Sequence, residues 1–339
     1  MKQILIIFCL LSVSFQALAQ DKKKATNGEF WGKSEAYLHK QAFQMFGLID
    51  EALTQNPPVV GAPMVRKLAL YNLDAMLHET KYDNTEPFNQ FVDSRMQKLL
   101  AELGKPVKKG LKIYKVYNDG FIARSQSSTI AFDIVRGAIQ GKEIISEAYI
   151  KQIVDQCDIL FITHNHGDHA DRLVANLFIQ AGKPVIAPSN IWENDTYIQH
   201  LRSDKMINQE IELNNGKKLQ VKILPGHQSE LIINIYVVTT PEKKTVVQTG
   251  DQYHKEDINW LVNIYQEIPR PDALLVNCWT NRMNDLIEGF SPKVVITGHE
   301  NEMGHTIDHR EAFWLTFQKM KEIKRDYVVM GWGEWFLCK

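Results

Sequence analysis

Cysteine is scarce in this 339-residue chain, with four residues at wide spacing: Cys9, Cys157, Cys278 and Cys338. That argues against a disulfide-built scaffold and against a cysteine-rich zinc module. One-sided charge is absent as well. Lys and Arg number 39 against 40 Asp and Glu, a formal net charge of -1. Such a balance argues against nucleic acid or an anionic membrane surface as partner, and leaves a small-molecule substrate. No internal repeat, low-complexity stretch, aromatic ladder or Gly-rich phosphate loop is present. Past the first twenty residues no apolar run is long enough to span a bilayer.

Those first twenty residues have their own pattern. Met1-Lys2 is a short basic start, Ile4 to Val13 an apolar run, and Ala17-Leu18-Ala19 a small-x-small cleavage pattern before the charged Asp21-Lys-Lys-Lys24. This predicts a secretory signal peptide over residues 1–19 and an exported protein, periplasmic or secreted. Cleavage removes Cys9. Cys157 and Cys278 then border predicted strands and read as buried free thiols.

Residues 20–105 read as a helical N-terminal region. Ser34 to Leu53 is one helix, stopped by Asn56-Pro57-Pro58, and Pro63 to Leu77 a second. After Thr85, Phe88, Phe91, Val92, Met96, Leu99, Leu100 and Leu103 form one apolar stripe of helical period. The expected role of this region is to pack on the remainder or cover its mouth. Residues 106–339 read as a catalytic domain in which strands and helices interleave, an α/β class. The strand Leu111 to Tyr117 meets the hairpin turn Asn118-Asp119-Gly120. Further strands are expected at Asp158 to Thr163, Lys218 to Leu224, Leu231 to Thr239, Thr245 to Gln248, Ala273 to Asn277, Lys293 to Ile296 and Tyr327 to Met330. A helix is expected over Asp308 to Ile323.

What the chain does have is Thr163-His164-Asn165-His166-Gly167-Asp168-His169, directly after an apolar strand. Three imidazoles and a carboxylate in six positions are dense metal-ligand chemistry. Three further signals sit at strand ends downstream: Gly226-His227, Gly250-Asp251 and Gly298-His299. Each alone is an ordinary turn. Together, in this order, they point to one metal centre assembled at the ends of strands. Asp133 and Thr163 are candidates to orient its histidines, and Tyr253, His254 and Trp279 candidates to line its pocket.

The H-x-H-x-D-H pattern with the three later signals resembles the metallo-β-lactamase superfamily. The resemblance covers roughly Leu111 to Met330. It implies an αβ/βα four-layer sandwich, two sheets face to face with helices outside and the site at one edge. By the same resemblance His164, His166 and His227 would hold one divalent metal ion, and Asp168, His169 and His299 a second. Asp251 would bridge the two, with zinc as the expected metal. Asp168 would also orient the nucleophile, a metal-bridging hydroxide attacking an ester, phosphoester, lactone or related bond. His299 is preferred over His305 as the last ligand because it follows a strand directly. Two other readings stand beside this one: an iron enzyme of the persulfide-dioxygenase kind with one metal on His164, His227 and Asp251, and a non-catalytic metal-binding protein.

Overall fold

The computed structural model describes residues 28–202 and 204–339. Segment 1–19, expected to be a signal peptide, and Cys9 lie outside the described residues. The described residues fall into two compact units, one ending at Met45 and one beginning at Phe46. In the first, a turn over residues 29–32 leads into helix Ser34–Gln55, and the ring of Phe30 meets that of Tyr37 edge-on at 5.8 Å.

The second unit is built on two seven-stranded sheets. In the first sheet β1 (Leu111–Tyr117), β2 (Gly120–Arg124), β3 (Thr129–Phe132) and the last strand β16 (Glu334–Cys338) run antiparallel. β6 (Ile159–Phe161), β7 (Val185–Ala187) and β8 (Gln199–His200) continue it in parallel. A separate hairpin, β4 (Ala138–Ile139) and β5 (Lys142–Glu143), lies between β3 and β6 in the chain. The second sheet repeats the plan. β9 (Ile207–Glu212), β10 (Lys218–Gln228), β11 (Leu231–Thr239) and β12 (Thr245–Gln248) are antiparallel. β13 (Ala273–Asn277), β14 (Val295–Gly298) and β15 (Tyr327–Val328) are parallel.

Side-chain period explains the layering. Alternate residues of both sheets, among them Ile113, Phe121, Phe132, Phe161, Val221, Tyr236, Leu275 and Ile296, meet in one buried cluster between the sheets. The other face of the second sheet, including Ile235, Val247, Leu274 and Val295, packs with Leu261, Leu286, Phe290 and Met320 from helices Lys255–Leu261, Met283–Phe290 and Phe313–Met320. This is the expected sandwich with helices outside.

Helices Met64–Leu77 and Glu86–Leu103 belong to the same unit as the sheets. The first lies against Phe313–Met320, where Tyr71 and Phe317 meet edge-on. The second lies against β1 and β16. Among the described residues no helix is long and apolar enough to cross a membrane. Cys157, Cys278 and Cys338 are buried free thiols.

Three local expectations need correction. Strand β10 does not stop at Leu224 but runs to Gln228, with Pro225 inside it. The missing N–H is harmless there, because the β9 partner ends opposite Ile223. The expected helix over 308–323 is a short 3-10 turn, Ile307–His309, then a helix from Phe313. β16 was not anticipated: Gly331 and Gly333 mask the restart of the strand. His200 pairs in β8, with a ring nitrogen 2.7 Å from the Ile191 carbonyl oxygen.

Candidate metal centre

The site lies where the C-terminal ends of parallel strands from both sheets converge. His164 follows β6, Asp251 follows β12 and His299 follows β14. Glycines make the approach possible. Gly250 has φ +53, and a Cβ on it would lie 2.6 Å from Thr163 Oγ1. A Cβ on Gly298 would collide with the Asp119 carboxylate.

Asp133, just past β3 with φ +46, organises the histidine run. Its carboxylate accepts from Thr163 N–H at 2.7 Å and from Thr163 Oγ1 at 2.6 Å. It also accepts from His169 Nδ1 at 3.0 Å. Thr163 Oγ1 thus has its one proton committed, so at 2.9 Å it accepts from His164 Nδ1. The consequence is a tautomer for each ring. His164 and His169 carry their proton on Nδ1 and turn an Nε2 lone pair inward.

Those lone pairs face carboxylates. His169 Nε2 lies 3.3 Å from Asp251 and 3.6 Å from Asp168, and has no hydrogen-bond partner. His164 Nε2 lies 3.5 Å from Asp251 and 3.2 Å from His166 Nδ1. Donor atoms of His164, His169 and Asp251 all fall within 4.8 Å of one another, as do those of Asp168, His169 and His299. Asn277 donates to Asp251 and Asn118 to Asp168, fixing both carboxylates.

Three expected ligands sit differently. His166 is exposed and touches only the first group, through His164. His227 Nδ1 donates to Asp257 at 3.0 Å, while Arg202 Nη2 lies 3.3 Å from its Nε2. Its donor atoms group with His254 and Asp257, not with His164 and His166. His299 Nε2 lies 3.1 Å from Asp168, but Trp279 Nε1 donates to its Nδ1 at 3.2 Å. That contact places the His299 proton on Nε2, opposite to His164 and His169. The ring of His305 lies 5.6 Å from that of His299, tilted by 30°.

The charge is out of balance in favour of a cation. Asp119, Asp133 and Asp251 are almost wholly buried, with Asp168 beside them. Burial lifts the Asp119 carboxyl to about 8, against the pull of His169 and with the push of Asp133 and Asp251. Burial disfavours a charged His169, yet Asp251 and Asp168 outweigh it and hold its pKa well above the ordinary value. His299 is likewise raised to about 9, burial opposing and Asp251 and Asp168 prevailing. Burial and the neighbouring His169 lower His164. A lone pair between two carboxylates repels both unless a proton or a divalent cation lies between them. These buried His and Asp groups suit metal binding.

Two cavities open on this cluster, and Asp168 and His305 belong to the walls of both. One, about 430 Å³, is bounded by His166, Asp251 and Trp279. The other, about 580 Å³, is bounded by Arg136, Lys142 and Glu302. Sequence reasoning missed Asp119, Asn118, Asp257, Asn277 and Glu302. Asp119 and Asn118 were visible only as hairpin-turn residues, and Asp257 lay outside every expected element.

No protein-family model and no curated protein matches the sequence. Solved structures do share the fold. A metallo hydrolase, Igni18, from the hyperthermophilic archaeon Ignicoccus hospitalis superposes with a TM-score of 0.50 at 16% identity, covering 68% of this chain and 100% of that one. A possible metal-dependent hydrolase from Veillonella parvula superposes with a TM-score of 0.51 at 12% identity, again over 68% and 100%. At such identities the likeness is one of fold. Two mixed sheets face to face with helices outside are the architecture that the chain shares with them.

Proposed function

We propose that this chain is an exported metal-dependent hydrolase of small molecules, acting on an ester, phosphoester, lactone or related bond. The observation that carries the reading is the His169 Nε2 lone pair, buried and unpartnered between Asp251 and Asp168. Asp168, His169 and His299 would hold one divalent ion and His164, His166 and His227 its neighbour, with Asp251 shared. The donor set, nitrogen and carboxylate oxygen without thiolate, suits zinc. When bound, the ion pair supplies a water that ionises near neutral pH and positive charge for the developing oxyanion.

The residues do the rest. Asp133 and Thr163 fix the tautomers of His164 and His169. Asp168 is held anionic: burial opposes this, but His169 and His299 keep its pKa well below the usual carboxylate range. It faces both cavities, so it can orient the attacking water and take its proton. His305 and Trp279 wall the substrate space. Ligand use of His227 requires Arg202 to leave its Nε2, and ligand use of His299 requires Trp279 to release Nδ1.

Metal analysis of the purified protein, joined to a panel of phosphodiester, phosphomonoester, lactone, thioester and β-lactam substrates, tests the reading. Two equivalents of metal and turnover lost with chelator are expected. Full activity in both His164→Ala and Asp168→Asn variants would sink it. Export rests on residues 1–19, and retention of the full-length chain in the cytoplasm would refute that part.

A further inference from the structure

Glu302 has no place among the metal-binding residues, yet it is the best-placed acid in the larger cavity. It is only 3% exposed, and it lines the 580 Å³ space together with Asp168, Gly304 and His305. One carboxyl oxygen, Oε1, accepts from Gly304 N–H at 2.9 Å; the other, Oε2, has no hydrogen-bond partner. Tyr117, fully buried, accepts from Met303 N–H at 2.8 Å and so holds the residue next to Glu302. The segment is pinned on both sides. Asn301 donates to Asp74 at 2.8 Å, and Arg310 donates to Met303 O and His305 O at 3.0 Å. A buried carboxyl oxygen without a partner is costly to keep unless it has a task.

We propose that Glu302 is the acid that protonates the leaving oxygen, and that the substrate accordingly carries a basic, alkoxide-type leaving group, as in an alkyl ester, a lactone or an alkyl phosphoester. The proposal rests on the hydrolase reading above. Water adds to the carbonyl carbon or phosphorus, its oxygen forming the new bond and a proton passing to Asp168. The bond to the leaving oxygen breaks, the electron pair stays on that oxygen, and the Glu302 proton joins it, so the alcohol departs neutral. Solvent in the cavity returns a proton to Glu302 and takes one from Asp168. An alkoxide needs such a donor, whereas a 4-nitrophenolate leaves largely unaided. In the same direction, burial, then the Asp168 carboxylate, raises the Glu302 carboxyl to about 7.

The test is a leaving-group series, from 4-nitrophenyl to ethyl esters and phosphoesters, run on wild type and Glu302→Gln, with metal content and melting temperature measured alongside. Glutamine keeps the shape and the Oε1 acceptor but has no proton of carboxyl acidity to give. With metal retained, the variant should slow alkyl substrates by about 100-fold or more and 4-nitrophenyl substrates by under tenfold, steepening the dependence on leaving-group basicity. An equal slowing across the series, or none, overturns the role of Glu302 and leaves the hydrolase standing. If Glu302→Gln loses metal or melts early, Glu302→Asp, which keeps the carboxyl but shortens its reach by one methylene, carries the test. A steeper dependence with metal retained then supports the proposal, and an unchanged one overturns it. A wild-type chain that binds no metal and hydrolyses no member of the series overturns the hydrolase reading and this inference together.

Discussion

Lys115 and Glu300 form an ion pair with no solvent exposure on either side chain, one residue from His299. Lys115 Nζ also reaches the Thr297 carbonyl oxygen at 3.3 Å and lies 5.9 and 5.7 Å from the ring centres of Phe121 and Phe313. The pair ties β1 to the chain leaving β14, where His299 has φ +69 and Asn301 φ +57. Removing one partner strands a buried charge. Glu300→Leu alone should therefore cost about 3–5 kcal/mol of unfolding free energy, while Lys115→Met with Glu300→Leu should recover most of it. Denaturant melts of the two singles and the double decide this. A double variant no more stable than either single would show that the pair itself, not the stranded charge, supports the loop.

Trp279 and His299 compete with metal in a way that can be measured. The indole N–H on Nδ1 holds the His299 proton on Nε2, the nitrogen that faces Asp168. Binding a cation through Nε2 requires that hydrogen bond to break, at about 1 kcal/mol, or roughly fivefold in affinity. Trp279→Phe should tighten the weaker-bound ion by about that factor in a chelator-competition titration. Unchanged or weaker binding would show that His299 ligates without releasing Trp279.

The histidine run, Asp251 and His299 were legible because each follows an apolar strand and a parallel strand end is a fixed place in such a sheet. The His299-Glu300-Asn301-Glu302 stretch was not legible as interior. Its polarity reads as a solvated loop, yet none of these residues is more than 3% exposed. What pins it comes from far along the chain: Lys115 for Glu300, Asp74 for Asn301, and Tyr117 for the N–H of the next residue, Met303. No local pattern encodes those pairings. The contacts of His227 were hidden for the same reason, since Arg202 and Asp257 reach its ring from other elements.

Asp257 gives His227 its tautomer, as Asp133 does for His169. Its carboxylate accepts from His227 Nδ1–H at 3.0 Å and from Gln252 at 3.2 Å. Without it the His227 ring is free to turn or to swap tautomers. Asp257→Ala should lower metal affinity by about 10- to 100-fold with the fold intact. Equal affinity in wild type and variant would remove His227 from the ligand set.

The N-terminal helices should give the fold part of its acid sensitivity through Asp50. Ser94, Lys98 and Arg95 all bond its carboxylate, at 2.7, 2.7 and 3.0 Å. Burial opposes ionisation there, but Lys98, Ser94 and Arg95 outweigh it and lower the Asp50 pKa below 3.8. A carboxyl whose folded pKa is depressed binds more protons unfolded than folded. It therefore contributes stability above the unfolded pKa, and that contribution is lost as pH falls through the folded value. Asp50→Asn should lower stability at pH 7 by about 1 kcal/mol, the group being 16% exposed and its pairs partly screened. The gap between wild type and variant should close as pH falls below about 4, the ordinary carboxylate pKa. Melting temperatures from pH 7 to pH 3 follow it. A gap that stays constant over that range would mean that the Asp50 side chain acts by packing and not by charge.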